Sequence, residues 1–299
     1  MNGGTNVRMK SGYIFVLIIT ILFVNACVAK DSVDFFNINV GDKPDELGVI
    51  VGKGEIRDSG PTGIASHNNI IYILDEVNLR INMYTKGGKF IKNIPLREEL
   101  LYYDLSVSPE GKIILLTDDG IYLVEETMEK IYDIPDDISV PYYFSSINSK
   151  LGNIIFSGLC KNGRLKIGII DRNGSYKYLE GFRIISNNSD LVGVQTSNTN
   201  VDVYRDEIKV NSINISKDMY PIGLTDEKNI LCLQPNSDGF KIIKIRNDER
   251  IAEKYLPYNL TFQAHEKIEP MKYFRVTNSD EIIILETSSN EVKVLIIHF

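Results

Sequence analysis

The sequence contains no tryptophan, and it has only three histidines and three cysteines among 299 residues. Without tryptophan it lacks the best platform for stacking a sugar ring, although its 16 tyrosines can partly substitute. Basic residues are outnumbered, with 33 lysines and arginines against 40 aspartates and glutamates, and no basic cluster stands out. Because nucleic-acid binding depends on neutralising phosphates, no nucleic-acid partner is expected.

Long apolar runs are scarce too, and the single one, residues 13–24 (YIFVLIITILFV), follows a short basic region. This order is typical of a secretion signal. The run leads into residues 24–27 (VNAC), which resemble the bacterial lipoprotein signal, the lipobox, whose cysteine is acylated and becomes the mature N-terminus. We therefore predict a signal peptide at residues 1–26, a lipid on Cys27, and a location in the bacterial cell envelope, outside the cytoplasm and held at the membrane.

Two other readings of the N-terminus remain. The apolar stretch from Tyr13 to Ala29 is 17 residues long, so a helix of that length spans about 25 Å. This is less than the roughly 30 Å of a bilayer core, which argues against an uncleaved transmembrane helix. A free secreted chain is the third possibility. In the lipoprotein reading, residues 27–32 are a short tether and residues 33–299 form the body.

The body is built from a repeated β-strand unit. It has no long segment with helical periodicity, and its short apolar runs are separated by turns rich in Gly, Asn and Asp, as in all-β folds. The runs begin 43, 41, 37, 39 and 52 residues apart, at residues 70, 113, 154, 191, 230 and 282. A period near 40 residues with about four strands in each unit is typical of a β-propeller.

Counting the units predicts six blades, with five or seven as alternatives. The predicted blades are 62–97, 104–135, 142–181, 183–215, 220–258, and 271–299 completed by 33–40. The last unit lacks a fourth strand, so we predict that residues 33–40 pair with residues 291–299 and close the ring, removing two open strand edges. An array of two β-sandwich domains is the other architecture considered.

The first unit resembles an NHL-type repeat. Its opening, residues 60–65 (GPTGIA), leads to an apolar strand that ends in Asp75, then to residues 78–81 (NLRI) and to a hairpin at residues 88–90 (GKF). The match covers about 35 residues, and the other units match in strand spacing and turns only. The resemblance implies a six-bladed propeller of the NHL or TolB-like kind. Exported propellers of this kind include binding scaffolds, lyases and esterase-like enzymes.

The NHL-like motif singles out three residues, Asp75, Asn78 and Arg80. They are weak candidates for contacting a ligand, because repeat motifs mostly encode packing between strands and blades. His265 is a fourth weak candidate, since it lies in a long connection beside Glu266. The other two histidines, His67 and His298, read as structural or solvated residues.

Signals for catalysis are missing. The sequence contains no Gly-x-Ser-x-Gly elbow and no Asp-x-Asp-x-Asp-Gly calcium loop. We therefore predict no catalytic residue, no metal site and no cofactor. Cys160 and Cys232 lie in apolar runs of non-adjacent predicted blades, so we predict two free, buried thiols and no disulfide.

Two functions follow from this reading. The favoured one is a lipid-anchored, non-catalytic propeller that binds an unidentified protein or small-molecule ligand, because propellers present loops on a rigid frame. The alternative is a metal-dependent propeller enzyme, a lyase or a lactonase-like hydrolase. Three or more carboxylate, His or Asn side chains converging at the mouth of the central channel would favour the enzyme.

Overall fold

The computed structural model describes residues 33–52, 59–136, 138–139, 146–150, 153–161, 165–171, 173–179, 181, 183–185, 191–205, 208–225, 227–256, 273–277 and 281–299. The predicted signal peptide, Cys27 and the tether lie outside these ranges, and so does His265. Within the ranges, no helix is long and apolar enough to cross a membrane.

The described residues form 25 β-strands. Strand β1 (Val33–Asn39) comes first. Blade one contains β2 (Gly63–His67), β3 (Ile70–Asp75), β4 (Arg80–Thr85) and β5 (Phe90–Pro95), and blade two contains β6 (Tyr102–Val107), β7 (Ile113–Thr117), β8 (Gly120–Val124) and β9 (Met128–Asp133). Blade three contains β10 (Ile138–Ser139), β11 (Ser146–Lys150), β12 (Asn153–Cys160), β13 (Leu165–Ile170) and β14 (Tyr176–Leu179). Blade four contains β15 (Arg183–Ile185), β16 (Leu191–Ser197), β17 (Asn200–Arg205) and β18 (Ile208–Asn214), and blade five contains β19 (Tyr220–Leu224), β20 (Ile230–Asn236), β21 (Gly239–Arg246) and β22 (Glu249–Leu256). Blade six contains β23 (Phe274–Val276), β24 (Glu281–Thr287) and β25 (Glu291–His298).

These strands make six antiparallel sheets arranged in a closed ring, which confirms the predicted six-bladed propeller. The inner strands of neighbouring blades contact one another around the ring: β2 contacts β6 and β23, β6 contacts β11, and β19 contacts β15 and β23. The innermost strands are therefore β2, β6, β11, β15, β19 and β23. The outermost strands are β5, β9, β14, β18, β22 and β1.

The sixth sheet has the order β1-β25-β24-β23, so its outermost strand comes from the N-terminal side of the body. The register runs from Val33 opposite Ile297 to Asn39 opposite Glu291. This is the predicted pairing. It gives β25 a partner along its whole length and leaves no gap between the chain's two ends in the sheet.

Blade three begins earlier than the predicted residue 142. Strand β12 has eight residues, whereas its neighbour β11 has five. The remaining end of β12 pairs with the short strand β10, with Ile138 opposite Cys160. The fifth strand therefore satisfies backbone groups that β11 cannot reach.

Burial explains the two kinds of strand in the sequence. Strands β3 and β7 lie between neighbouring blades and bury nearly all of their residues, so both their faces are apolar. The outermost strand β22 is exposed over most of its length and is correspondingly polar. Tight turns follow the Gly signals, and Gly88 and Gly174 adopt φ values of 80° and 79°, which other residues rarely tolerate.

Among the described residues, the outer edges of blades one, two and four meet the outer hairpin of the next blade. This recurs at three seams through hydrogen bonds: Arg97 Nη2 to Met128 O at 2.6 Å, Tyr132 OH to Asp171 O at 3.5 Å, and Asn214 N to Asp248 Oδ1 at 2.6 Å. At the seam between blades six and one, the ring of Phe36 packs over Gly88, where a Cβ would lie 2.7 Å from it.

The propeller has two distinguishable faces. The Val33 end of β1 lies beside the end of β25 and the start of β24, and Lys86, in the outer hairpin turn of blade one, bonds Glu281 there. We call this side the anchor face, because it is the side on which the body joins the predicted tether. The opposite side, where β1 ends at Asn39, is the distal face.

Candidate functional site

The three residues of the NHL-like motif come together at the turn between β3 and β4. Asp75 ends β3, Arg80 begins β4 directly opposite it, and Asn78 lies in the turn. The Asp75 carboxylate is fully buried and accepts hydrogen bonds from Arg80 Nε at 3.2 Å, Asn78 Nδ2 at 2.8 Å, Asn78 N at 3.3 Å and Gly48 N at 3.1 Å.

The partners of this motif lie in the chain itself. We name residues 40–48, which follow β1, the crossing segment, because they carry the chain from blade six to blade one. The Arg80 guanidinium donates to three of its carbonyl oxygens: Asp42 at 3.1 Å, Lys43 at 2.7 Å and Glu46 at 2.8 Å. Asn78 Nδ2 donates to Gly41 O at 2.9 Å. In this structure, the motif holds the crossing segment.

Two further residues of β4 complete the same contact. Asn82 Nδ2 donates to Glu46 O at 2.9 Å, and Tyr84 OH donates to Asp45 O at 3.0 Å. Burial raises the pKa of Tyr84 to about 12, although the hydrogen bond with Asn82 opposes the shift, so the phenol stays protonated and able to donate. Sequence reasoning missed both residues. The available signal was a buried strand with polar groups at 80, 82 and 84, all on one face.

The electrostatics of this cluster depend on burial. Burial raises the pKa of Asp75 above its ordinary value, while the hydrogen bonds from Asn78 and Gly48 and the charge of Arg80 pull it back down. Every contact to the carboxylate is an N–H donor, which matches the ionised form. The cluster therefore works as a preassembled carboxylate–guanidinium unit whose remaining donors point at backbone oxygens.

A second ionic contact lies among the innermost strands. Asp104 of β6 is completely buried, and Arg275 of β23 donates through Nη2 to both of its oxygens, at 2.8 and 3.0 Å. The contact joins blades two and six across blade one. It passes over Gly63 of β2, where a Cβ would lie 2.8 Å from Asp104 Oδ1. A glycine at this position leaves room for the carboxylate.

Tyr273 is a neutral neighbour of this pair. Its side chain is almost fully buried. Burial raises its pKa well above the ordinary value, and the negative charges of Asp104 and Glu76 raise it further. Sequence reasoning missed Asp104, Arg275 and Tyr273. For the two charged residues the signal was a single charge inside a short apolar strand, YYDLSV for Asp104 and FRV for Arg275.

The described histidines lie at strand ends. His67 ends β2, and His298 ends β25 between Asp34 and Glu281. Among the residues that the structure describes, no three His, Cys, Asp or Glu side chains are grouped so that they could hold a metal ion. Cys160 and Cys232 are free and buried, in blades three and five.

Comparison with known proteins identifies the fold. No protein-family model and no curated protein matches the sequence. A streptogramin B lyase structure is similar at a TM-score of 0.54 and 14% identity, over 88% of this chain and 97% of that one. A gluconolactonase of Xanthomonas campestris gives 0.53 and 9%, over 88% and 97%. A chain of the nidogen/laminin complex gives 0.50 and 11%, over 76% and 94%.

At these identities the similarity establishes architecture alone, since one propeller frame carries unrelated functions. The neighbours include a lyase, a lactonase and a member of a protein–protein complex. This chain is a six-bladed β-propeller, and its structural neighbours are propellers as well.

Proposed function

We propose that the protein is an extracytoplasmic lipoprotein, attached to the membrane through Cys27, whose propeller binds a protein or small-molecule ligand without catalysing a reaction. The observation that carries the non-catalytic part is the contact between Asp104 and Arg275. This buried carboxylate on the innermost strands is already engaged through both oxygens. A divalent cation placed there would meet the positive charge of the guanidinium, so these residues do not fit a metal centre.

The NHL-like motif supports the same reading. Asp75, Asn78 and Arg80 direct their polar atoms at one another and at the crossing segment. A ligand that used them would first have to displace that segment and its hydrogen bonds. Binding is therefore better assigned to exposed loops. A chain of the nidogen/laminin complex, which is a protein–protein complex, has a similar fold.

The position of the tether favours the distal face as the binding face. Five residues, 28–32, separate Cys27 from β1, and fully extended they reach at most about 18 Å. With β1 starting on the anchor face, a lipid on Cys27 would hold that face toward the membrane. The distal face would point away from it and stay open to a partner.

The alternative is a propeller enzyme of the lyase or lactonase kind. The observation that favours it is the similarity to a streptogramin B lyase and to a gluconolactonase. Elemental analysis of the purified 28–299 body separates the two functions. A divalent metal bound at one equivalent per chain, and retained through dialysis, would overturn the binding proposal.

The lipid is tested by labelling cells that produce the full chain with a palmitate analogue. We expect label on the wild type and none on Cys27→Ala. The matched control is Cys232→Ala, which should keep the label because that thiol is buried in blade five. Label that persists in Cys27→Ala, or an unlabelled wild type, would contradict the anchor.

The binding face is tested with a photo-crosslinking amino acid at Asp238 or at Gly87, in cells that make the anchored protein. Both positions are exposed, Asp238 in the β20–β21 turn on the distal face and Gly87 in the β4–β5 turn on the anchor face. We expect a discrete protein or ligand adduct from position 238 and lipid adducts from position 87. An adduct pattern that is the same at both positions would contradict the proposed orientation.

A further inference from the structure

The closing blade differs from the others in how its outer two strands are connected. In blades one, two, three and five the third and outermost strands follow each other along the chain through a short turn. In blade six, β25 ends at His298 and β1 begins at Val33, so no turn joins them. The outer strand of this blade is therefore held by non-covalent contacts alone at the anchor face.

A row of ionisable side chains occupies that place. His298 lies opposite Glu281 in the register of β25 and β24, and Asp34 lies on the same face of the adjacent strand β1. His298 Nε2 is 3.2 Å from Asp34 Oδ2, and His298 Nδ1 is 3.4 Å from Glu281 Oε1. The imidazole thus stands between two carboxylates that belong to the strands on either side of it.

Two cations complete the surroundings of this row. Lys86, from the outer hairpin turn of blade one, pairs with Glu281, which also accepts a hydrogen bond from Thr277 Oγ1 at 3.2 Å. Burial opposes ionisation of Glu281, but Lys86, Thr277 and His298 outweigh it and lower its pKa. From blade five, Lys254 Nζ donates to the backbone oxygen of His298 at 3.2 Å.

The two carboxylates interact differently with the neutral imidazole and with the protonated imidazolium. A neutral ring has one N–H donor and one lone-pair acceptor, whereas the imidazolium has two donors. With a carboxylate at each nitrogen, the neutral ring turns a lone pair toward one of them. Glu281 keeps Lys86 and Thr277 in either case. The described contact of Asp34 is with His298, so the neutral ring weakens the hold on β1.

We propose that Asp34, His298 and Glu281 form a pH-sensitive latch that replaces the missing turn of the closing blade. Protonated His298 joins β1 to β25 and β24 at the anchor face, and its deprotonation loosens the Val33 end of β1. Histidine is the one side chain whose ordinary change of charge falls between pH 5 and pH 8. The latch is therefore tested by comparing pH 5.5 with pH 8.0.

The latch is tested by native-state hydrogen exchange of the backbone amides of residues 33–40. The exchange rates are corrected for the intrinsic pH dependence of exchange. For the wild type we expect the equilibrium constant for opening of the Val33 end of β1 to be about two- to fivefold larger at pH 8.0 than at pH 5.5. This factor corresponds to the stabilisation that a partly exposed ion pair contributes. His298→Gln keeps a hydrogen-bonding side chain that does not titrate in this range. It should show the more open behaviour at both pH values.

Asp34→Asn removes the negative charge that β1 presents to the imidazole, and it should also abolish the pH response of exchange in β1. The matched control is Asp248→Asn at the seam between blades four and five, where Asn214 N lies 2.6 Å from Asp248 Oδ1 and no histidine takes part. That variant should leave the pH response of β1 as in the wild type. A response that survives in His298→Gln, or a wild type whose β1 exchange is independent of pH, would overturn the proposal.

Discussion

The contact between Asp104 and Arg275 is the sharpest place to perturb the ring, because it joins blades two and six through a fully buried carboxylate. Arg275→Met keeps the apolar stem of the side chain and removes the guanidinium. Asp104 would then keep the backbone N–H of Leu105, at 2.9 Å, and lose both contacts from Arg275.

The expected cost follows from the burial of the two partners. Removing one partner of a buried ion pair leaves an uncompensated charge and costs about 3–5 kcal/mol. For a domain of this size, each kcal/mol lowers Tm by about 2–4 °C, so Arg275→Met should lower it by about 6–20 °C. Asp104→Asn combined with Arg275→Met removes the unpaired charge and should recover part of that loss.

Thermal and denaturant unfolding of the 28–299 body measure the effect. The control is Lys241→Met, which breaks a pair with Glu253 whose side chains are 33% and 51% exposed, and it should cost less than about 1 kcal/mol. If Arg275→Met costs no more than this control, the pair does not hold the ring. The assignment of Asp104 to a structural task would then be wrong.

Three other predictions follow from the structure. Arg80→Lys keeps the charge but loses the planar guanidinium that reaches the crossing segment. It should lower the free energy of unfolding by about 2–3 kcal/mol, and a loss below about 0.5 kcal/mol would refute this. Gly63→Ala places a Cβ 2.8 Å from Asp104 Oδ1 and should cost about 1–3 kcal/mol, whereas Gly87→Ala, with 3.8 Å to its nearest neighbour, should be harmless in denaturant unfolding. Burial raises the pKa of Cys232 to about 12, so at pH 8 a thiol reagent should label it only after unfolding, as mass spectrometry of native protein would check.

Much of the architecture could be predicted because a propeller blade leaves a strong pattern. Inner strands such as β3 are covered on both faces and read as continuous apolar runs, and turns such as the one ending at Gly88 need glycine. The missing fourth strand of the last unit predicted the β1–β25 pairing. Blade three was placed less well because β10 has two residues, too few to leave a pattern.

The ionic contacts could not be predicted in the same way. Asp104 and Arg275 are 171 residues apart, and their meeting depends on ring closure and on the space above Gly63. A single charge in an apolar strand predicts that some partner exists, because a buried charge must be paired, but it does not identify that partner. His298 was read as structural or solvated for the same reason, since its two carboxylate neighbours come from strands at opposite ends of the sequence.

The structure explains why the NHL-like match is confined to blade one. Blades two, four and five are entered from the preceding outermost strand through short connections, residues 96–101, 180–182 and 215–219, whereas blade one is entered through residues 40–62. That long connection brings the crossing segment over the β3–β4 turn, and its carbonyl groups need donors. Arg80 and Asn78 supply those donors, and Asp75 holds both in position. The motif therefore marks the place where the chain crosses the closing seam, so a ligand of this propeller is better sought on the exposed loops of the other blades.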